Sequence, residues 1–207
     1  MGVSYWPMRL QHGDVVLRPL RRRDRGEWDA VRAYNQAWLR PWEATQPPSS
    51  PAGPPTFAAL VRLLESQARA GTALPWALSW ERAGQRPRLV GQVTVSGITR
   101  GSAMFAHIGY WIDQRAAGHG LVPTAVAMAT DFCFDDLGLH RMEVAIRPEN
   151  ANSLRVVRKL GFRHEGLRPR YLHINGDWRD HEVFALHADE VPGSLLARWD
   201  AARSRAG

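Results

Sequence analysis

The sequence predicts one α/β domain: a mixed, mostly antiparallel sheet with helices on both faces. Three observations predict it. Apolar residues recur with strand-like and helix-like periods in the order β-α-α-β-β-β-α-β-α-β-β. Asn175-Gly176 separates two strand-like runs and reads as a hairpin turn. No linker interrupts the 207 residues, and their 44% hydrophobic content is enough for one packed core. The expected division is an N-terminal extension over 1–13, the domain over 14–190 and a C-terminal tail over 191–207.

Val15 to Leu20 reads as a strand stopped by Pro19. Asp24 followed by Glu27 resembles a capping box, and Trp28, Val31, Trp38 and Leu39 keep helical spacing, so a helix is expected over 24–39. Prolines at 41, 47, 48, 51, 54 and 55 predict an irregular, mobile surface loop. Phe57, Leu60, Val61 and Leu64 restore a helix over 57–70, ended by Gly71. Runs at 74–80, 89–95 and 103–112, joined by short polar turns, read as an antiparallel meander. A helix follows over 118–135, then a strand over 140–146. A helix over 152–160 ends at Gly161, and a hairpin pairs 171–174 with 178–186. Beyond Val191 a loose helical tail is expected.

Composition narrows the function classes. The formal charge is +7, but the arginines are mostly scattered, which reads first as a solvated surface and second as a sign of an anionic ligand or partner. The dense run Arg21-Arg22-Arg23-Asp24-Arg25 sits at a helix start and is weak support for nucleic acid. The one cysteine, Cys133, lies in an apolar run and reads as a small core residue. No apolar run approaches the roughly 20 residues of a membrane span, so no membrane association is expected, and the cytoplasm is the expected compartment. The histidines show no ligand spacing, and no metal is expected.

The informative stretch is Arg115-Ala-Ala-Gly118-His119-Gly120, at a strand-to-helix junction. Two glycines there let the backbone turn tightly and expose its N–H groups, while the following helix aims its positive end at the same point, as a pyrophosphate site requires. A plain turn would use the same glycines. A Walker A loop is excluded because no Gly-Lys-Ser/Thr follows, and a dinucleotide fingerprint because position 123 is proline.

Arg115-x-x-Gly118-x-Gly120, preceded by Ile108-Gly109-Tyr110-Trp111-Ile112, resembles motif A of the GNAT acetyltransferases. Asn150-Ala-Asn-Ser153, Lys159-Leu160-Gly161-Phe162 and Glu165-Gly166 resemble their downstream motif. Pro41-Trp42-Glu43, Arg100-Gly101-Ser102 and Tyr171 to His181 are similar to the RimJ branch of the RimJ/RimL group, which acetylates N-terminal residues of ribosomal proteins. The resemblance covers about 14–190. It implies acetyl-CoA as co-substrate, direct transfer to an amine without a covalent intermediate, and a GNAT-type sheet. It also implies that Tyr110, Trp111 and Ile112 meet the pantetheine arm, that Arg115, Gly118, His119, Gly120 and Leu121 hold the pyrophosphate, and that Asn150 and Ser153 reach the pantetheine and sulfur. Capping of the helix after Asn150 is the alternative for that pair.

An unperturbed α-amine has a pKa of about 7.7–8.0, so a weak base suffices to neutralise it. Ser153 is the first choice for a hydroxyl near the leaving thiolate and Tyr171 the second; Glu43 is the choice for the carboxylate that meets the amine. Glu143 is expected to pair with an arginine, and Asp180 to be a structural partner. Three acceptor readings stay open: the N-terminal α-amine of a protein, with a ribosomal protein as the expected partner; a small-molecule amine such as an amino acid or aminoglycoside; and a non-enzymatic module near ribosome or RNA. A wide acidic cleft would favour the aminoglycoside and a narrow groove a chain terminus. Either a monomer or a homodimer fits.

Overall fold

The computed structural model describes residues 6–49 and 55–206. Its strands are β1 (Leu10–His12), β2 (Val15–Pro19), β3 (Ala73–Trp80), β4 (Arg88–Thr99), β5 (Phe105–Ile112), β6 (Arg141–Ile146), β7 (Arg163–Ile174) and β8 (Asp177–His187). Its helices are α1 (Arg25–Tyr34), α2 (Gln36–Leu39), α3 (Phe57–Arg69), α4 (Leu121–Asp135), α5 (Ala151–Leu160) and α6 (Leu195–Ala206). The strands form one sheet in the order β1-β2-β3-β4-β5-β6-β8-β7. Among the described residues only β5 and β6 pair in parallel.

Strand alternation gives the sheet two apolar faces. On β3, Leu74, Trp76 and Leu78 join the larger core with α4, while Ala77 joins Leu20, Val61 and Leu89 on the opposite face, under α1 and α3. The segment that becomes α4 is apolar all round, as a helix buried on every side must be, and residues 121–130 are all buried. Cys133 is fully buried here, and that burial pushes its thiol well above the ordinary range.

Several boundaries differ from expectation for identifiable reasons. The single helix over 24–39 is broken at Asn35, which is wholly buried: its Nδ2 donates to the Val31 carbonyl (2.9 Å) and to Asp113 Oδ1 (3.1 Å), and its Oδ1 accepts from the Gln114 N–H (2.8 Å). Asp24 does not cap α1; it turns back to Arg18 (2.7 Å) and the Arg21 N–H. Glu27 accepts from the Leu89 N–H instead. Pro19 ends β2 from inside the strand, paired with Trp76. The proline-rich loop is partly ordered: Arg40–Trp42 forms a 3-10 turn and Ala44 bridges to Ile174. Residues 50–54, including Pro51 and Pro54, lie outside the described residues. The helix expected from Gly118 begins at Leu121, because Gly118 and Gly120 both take positive φ (+85° and +77°).

Two elements, β1 and the first half of β7, are not predicted by the sequence, and the helical tail expected beyond Val191 is α6, anchored rather than loose. The tail is a packed helix, because Asp131 on α4 accepts from Ser194 Oγ and from the Leu195 and Leu196 N–H groups. Trp199 Nε1 also donates to Thr124 Oγ1 (2.9 Å) in the core.

Candidate active site

The parallel pairing of β5 and β6 runs only from Phe105↔Arg141 to His107↔Glu143. Beyond it the two strands part, and the β5 edge over 108–112 faces space rather than a partner strand. Two cavities occupy the split. The larger, about 430 Å³, is lined by Tyr110, Trp111 and Ile112 of β5, by 116–118 and 120–123, and by Asn150, Ser153 and Lys159. The smaller, about 220 Å³, lies toward the β7–β8 hairpin. Trp42, Tyr110, Asn150 and Ser153 line both, so the cavities meet there. Gly91 makes the β5 wall possible: a Cβ at Gly91 would stand 2.3 Å from the Trp111 carbonyl oxygen.

The loop from β5 into α4 is fastened from beneath. Asp113 is fully buried and accepts from Arg115 Nε (3.0 Å), Arg115 Nη2 (2.6 Å), the Arg115 N–H (3.0 Å) and Asn35 Nδ2 (3.1 Å). Burial works against its ionisation, but these hydrogen bonds outweigh it and hold the carboxyl below the usual range. Trp38 Nε1 donates to the Ile112 carbonyl (3.2 Å), tying α2 to the same loop.

The expected donor-site residues divide. Tyr110, Trp111, Ile112, Gly118, Gly120, Leu121, Asn150 and Ser153 all line the larger cavity. Arg115 does not: its guanidinium is held by Asp113 and lies 4.0 Å over the Tyr34 ring. His119 packs on Trp80 (4.9 Å between centroids) and is absent from the wall. The positive charge on the wall comes from Arg155 and Lys159 of α5, and Arg203 of α6 stands beside Gly120. Helical spacing places Arg155 and Lys159 four apart on one face, a signal present in the sequence. Arg203 was hidden by the weak pattern of the tail.

The catalytic candidates divide as well. Ser153 lies where the cavities meet, its N–H capped by Asn150 Oδ1 (3.1 Å), so capping by Asn150 and its place on the wall hold together. The Tyr110 hydroxyl donates to the Ser153 carbonyl (3.4 Å), and burial pushes this phenol well above its ordinary range, so it stays protonated. Glu43 lines neither cavity; its carboxylate is engaged by Arg32, whose guanidinium lies 5.2 Å over Trp111. Tyr171 also lines neither and packs edge-on against His181 (5.9 Å). Glu143 pairs with Arg141 (2.9 Å) and Arg168 (3.3 Å), and Asp180 accepts from the Arg170 N–H.

A family model described as an acetyltransferase (GNAT) domain matches residues 14–163. The chain belongs to the GNAT acetyltransferase family. As a GNAT enzyme it is an acetyl-CoA-dependent N-acetyltransferase, and the residues present fit that co-substrate: an unpaired β5 edge, an apolar channel and cations around a glycine turn. Among solved structures it is similar to Mycobacterium smegmatis RimJ in complex with CoA-disulfide, at 36% identity and a TM-score of 0.85, covering 96% of each chain. It is 29% identical over 187 residues to the ribosomal protein uS5-alanine N-acetyltransferase of Escherichia coli, covering 90% of this chain and 94% of that one. It is 41% identical over 99 residues to YjcK of Bacillus subtilis, described as a probable N-acetyltransferase, a match spanning 55% of that protein. Among the described residues no helix is long and apolar enough to cross a membrane.

Proposed function

We propose that this GNAT enzyme acetylates the N-terminal α-amine of a protein, with a ribosomal protein as the expected acceptor, as the name of its Escherichia coli relative states for that enzyme. The carrying observation is the smaller cavity. Its wall is mainly apolar, with Ile108, Val144, Ile146, Leu172 and Ile174, and among the described residues no Asp or Glu lines it. A polyamine or aminoglycoside carries several positive charges and needs carboxylates to replace its hydration. A chain terminus brings one amine, a short side chain and peptide groups, which suit a narrow apolar pocket with a few polar atoms. Turnover of acetyl-CoA across peptides varied at the first two residues, with spermidine and an aminoglycoside alongside, tests this. Peptides with a small first residue should give the highest kcat/KM; faster turnover of either polycation would overturn the reading.

In this reading acetyl-CoA, when bound, supplies an acetyl thioester for attack by the amine. The β5 edge at 110–112 would orient the pantetheine arm, and a backbone N–H there would stabilise charge developing on the carbonyl oxygen. Gly118, Gly120 and Leu121, with Arg155 and Lys159, would hold the phosphates. Asn150 would fix the start of α5, and Ser153 would place a hydroxyl by the sulfur. Glu43, held by Arg32, would position Trp42 at the meeting of the cavities, and Tyr171 would support the hairpin wall. Ser153→Ala should lower kcat on the order of a hundredfold while the KM for acetyl-CoA changes little. Steady-state kinetics with a preferred peptide checks this; a loss confined to KM would reduce Ser153 to binding.

A further inference from the structure

We propose that His181 is the base of this reaction, taking the proton of the incoming α-ammonium on its Nε2. The proposal rests on the acceptor site described above and adds the group that the sequence did not identify. His181 lies on β8, is 3% exposed and lines the smaller cavity. Among the described residues it and Arg147 are the two basic side chains on that wall, and a guanidinium cannot accept a proton at neutral pH.

The ring's tautomer follows from its partner. Nδ1 stands 2.9 Å from the Arg179 carbonyl oxygen. A carbonyl can only accept, so Nδ1 carries the hydrogen and the neutral ring keeps its lone pair on Nε2. The same bond fixes the ring's orientation, as the partner of a histidine base does in other enzymes.

The surroundings keep the ring ready to accept. Burial disfavours the imidazolium and lowers its pKa; the Arg179 carbonyl opposes this. Arg147, on the loop just after β6 and also on this wall, lowers it further, while Asp180 beside His181 and Glu149 before α5 raise it. Tyr171 faces the ring edge-on from β7. The balance lies below the ordinary histidine value, so the ring is neutral at pH 7. In the transfer an N–H bond of the ammonium breaks, an Nε2–H bond forms, and the imidazolium later returns the proton to water. The carboxylate considered for this role, Glu43, is engaged by Arg32 and lies outside both cavity walls.

The test is His181→Asn. The asparagine amide can still donate to the Arg179 carbonyl from near the Nδ1 position but has no atom at Nε2. With a preferred peptide at pH 7, kcat should fall about a hundredfold, while calorimetry gives acetyl-CoA affinity within about twofold. The wild-type rate should drop as pH falls through the lowered histidine value. The variant should instead gain rate as pH rises past the amine's own range of about 7.7–8.0, because only already neutral amine then reacts. Imidazole should partly restore His181→Gly. A variant rate within about threefold of wild type, or a loss equal at every pH and untouched by imidazole, would overturn the proposal. A measurement on the unmodified protein guards against misfolding: nitrogen NMR of His181 should show the Nδ1–H tautomer, and the Nε2–H tautomer would overturn it. Running both proteins on a small amine separates the two readings. If wild type ignores peptides but acetylates the small amine, and His181→Asn shows the same pH-dependent loss there, the peptide reading fails and the base stands.

Discussion

Gly120→Asp should leave the enzyme folded and cost it about a hundredfold in acetyl-CoA affinity. Gly120 occupies the N-cap of α4 at φ +77°, where any other residue is strained. A Cβ there finds ordinary van der Waals room, 3.6 Å from Arg203 Nη1 and 3.7 Å from Trp199 Cζ2. Aspartate is among the residues that best tolerate a left-handed N-cap, and its carboxylate would be drawn to Arg203 and to the positive end of the helix. Those attractions offset the strain. They also put a negative charge where the phosphates are expected. Two like unit charges at about 4 Å repel by about 4 kcal/mol at an intermediate dielectric, and salt screening reduces this toward the hundredfold loss expected. Calorimetry should show that loss, smaller at high salt, with the melting temperature moving little. Gly120→Ala separates strain from charge and should lose about tenfold less. Unchanged affinity in the aspartate variant would remove the phosphate reading of this turn.

Where one local signal decided an element, the sequence was legible. The short apolar run in Ala73–Trp80, the Asn-Gly turn and the apolar run of α4 each specify their element, and they lie close to where the sequence places them. Elements set by distant partners were not legible. Asn35 breaks a helix because its amide is needed by Asp113 and Gln114, almost 80 residues away along the chain. The first half of β7 reads Arg-His-Glu-Gly-Leu-Arg-Pro-Arg, with neither alternation nor β-branched residues, and pairs only because β8 offers an edge. The ordering of α6 depends on Asp131, on another helix. The site shows the same division. The glycine turn and Asn150-x-x-Ser153 are local motifs, and they line the cavities. Arg115 is held by the buried Asp113, and no spacing in the sequence reveals that burial. His181 acquires its surroundings from Arg179, Arg147 and the cavity, none of which spacing reveals.

The second large effect is expected beneath the donor loop. Asp113→Ala should destabilise the fold by about 3 kcal/mol, toward the low end for breaking a buried ion pair because Arg115 is itself partly exposed. The loss has three sources: the Arg115 guanidinium is released, the Arg115 N–H loses its acceptor, and Asn35 is left buried with a donor short of a partner. For a chain of this size that amounts to a fall in melting temperature of about 6–12 °C. The damage should also reach function, since Asp113 ends the strand that lines the donor cavity and begins the turn that carries Gly118 and Gly120. Acetyl-CoA affinity should therefore fall, and saturating acetyl-CoA should raise the variant's melting temperature by mass action. The pH dependence has a definite sign. A carboxyl held below its unfolded value of about 3.9 stabilises the fold above that value, and the contribution disappears as pH falls through the lower folded value. Wild type and Asp113→Asn should thus differ most at neutral pH and converge in acid below about pH 4. Melting curves of the two proteins from pH 7 down to pH 3 check this; a gap that stays constant would show that the Asp113 charge does not hold the loop.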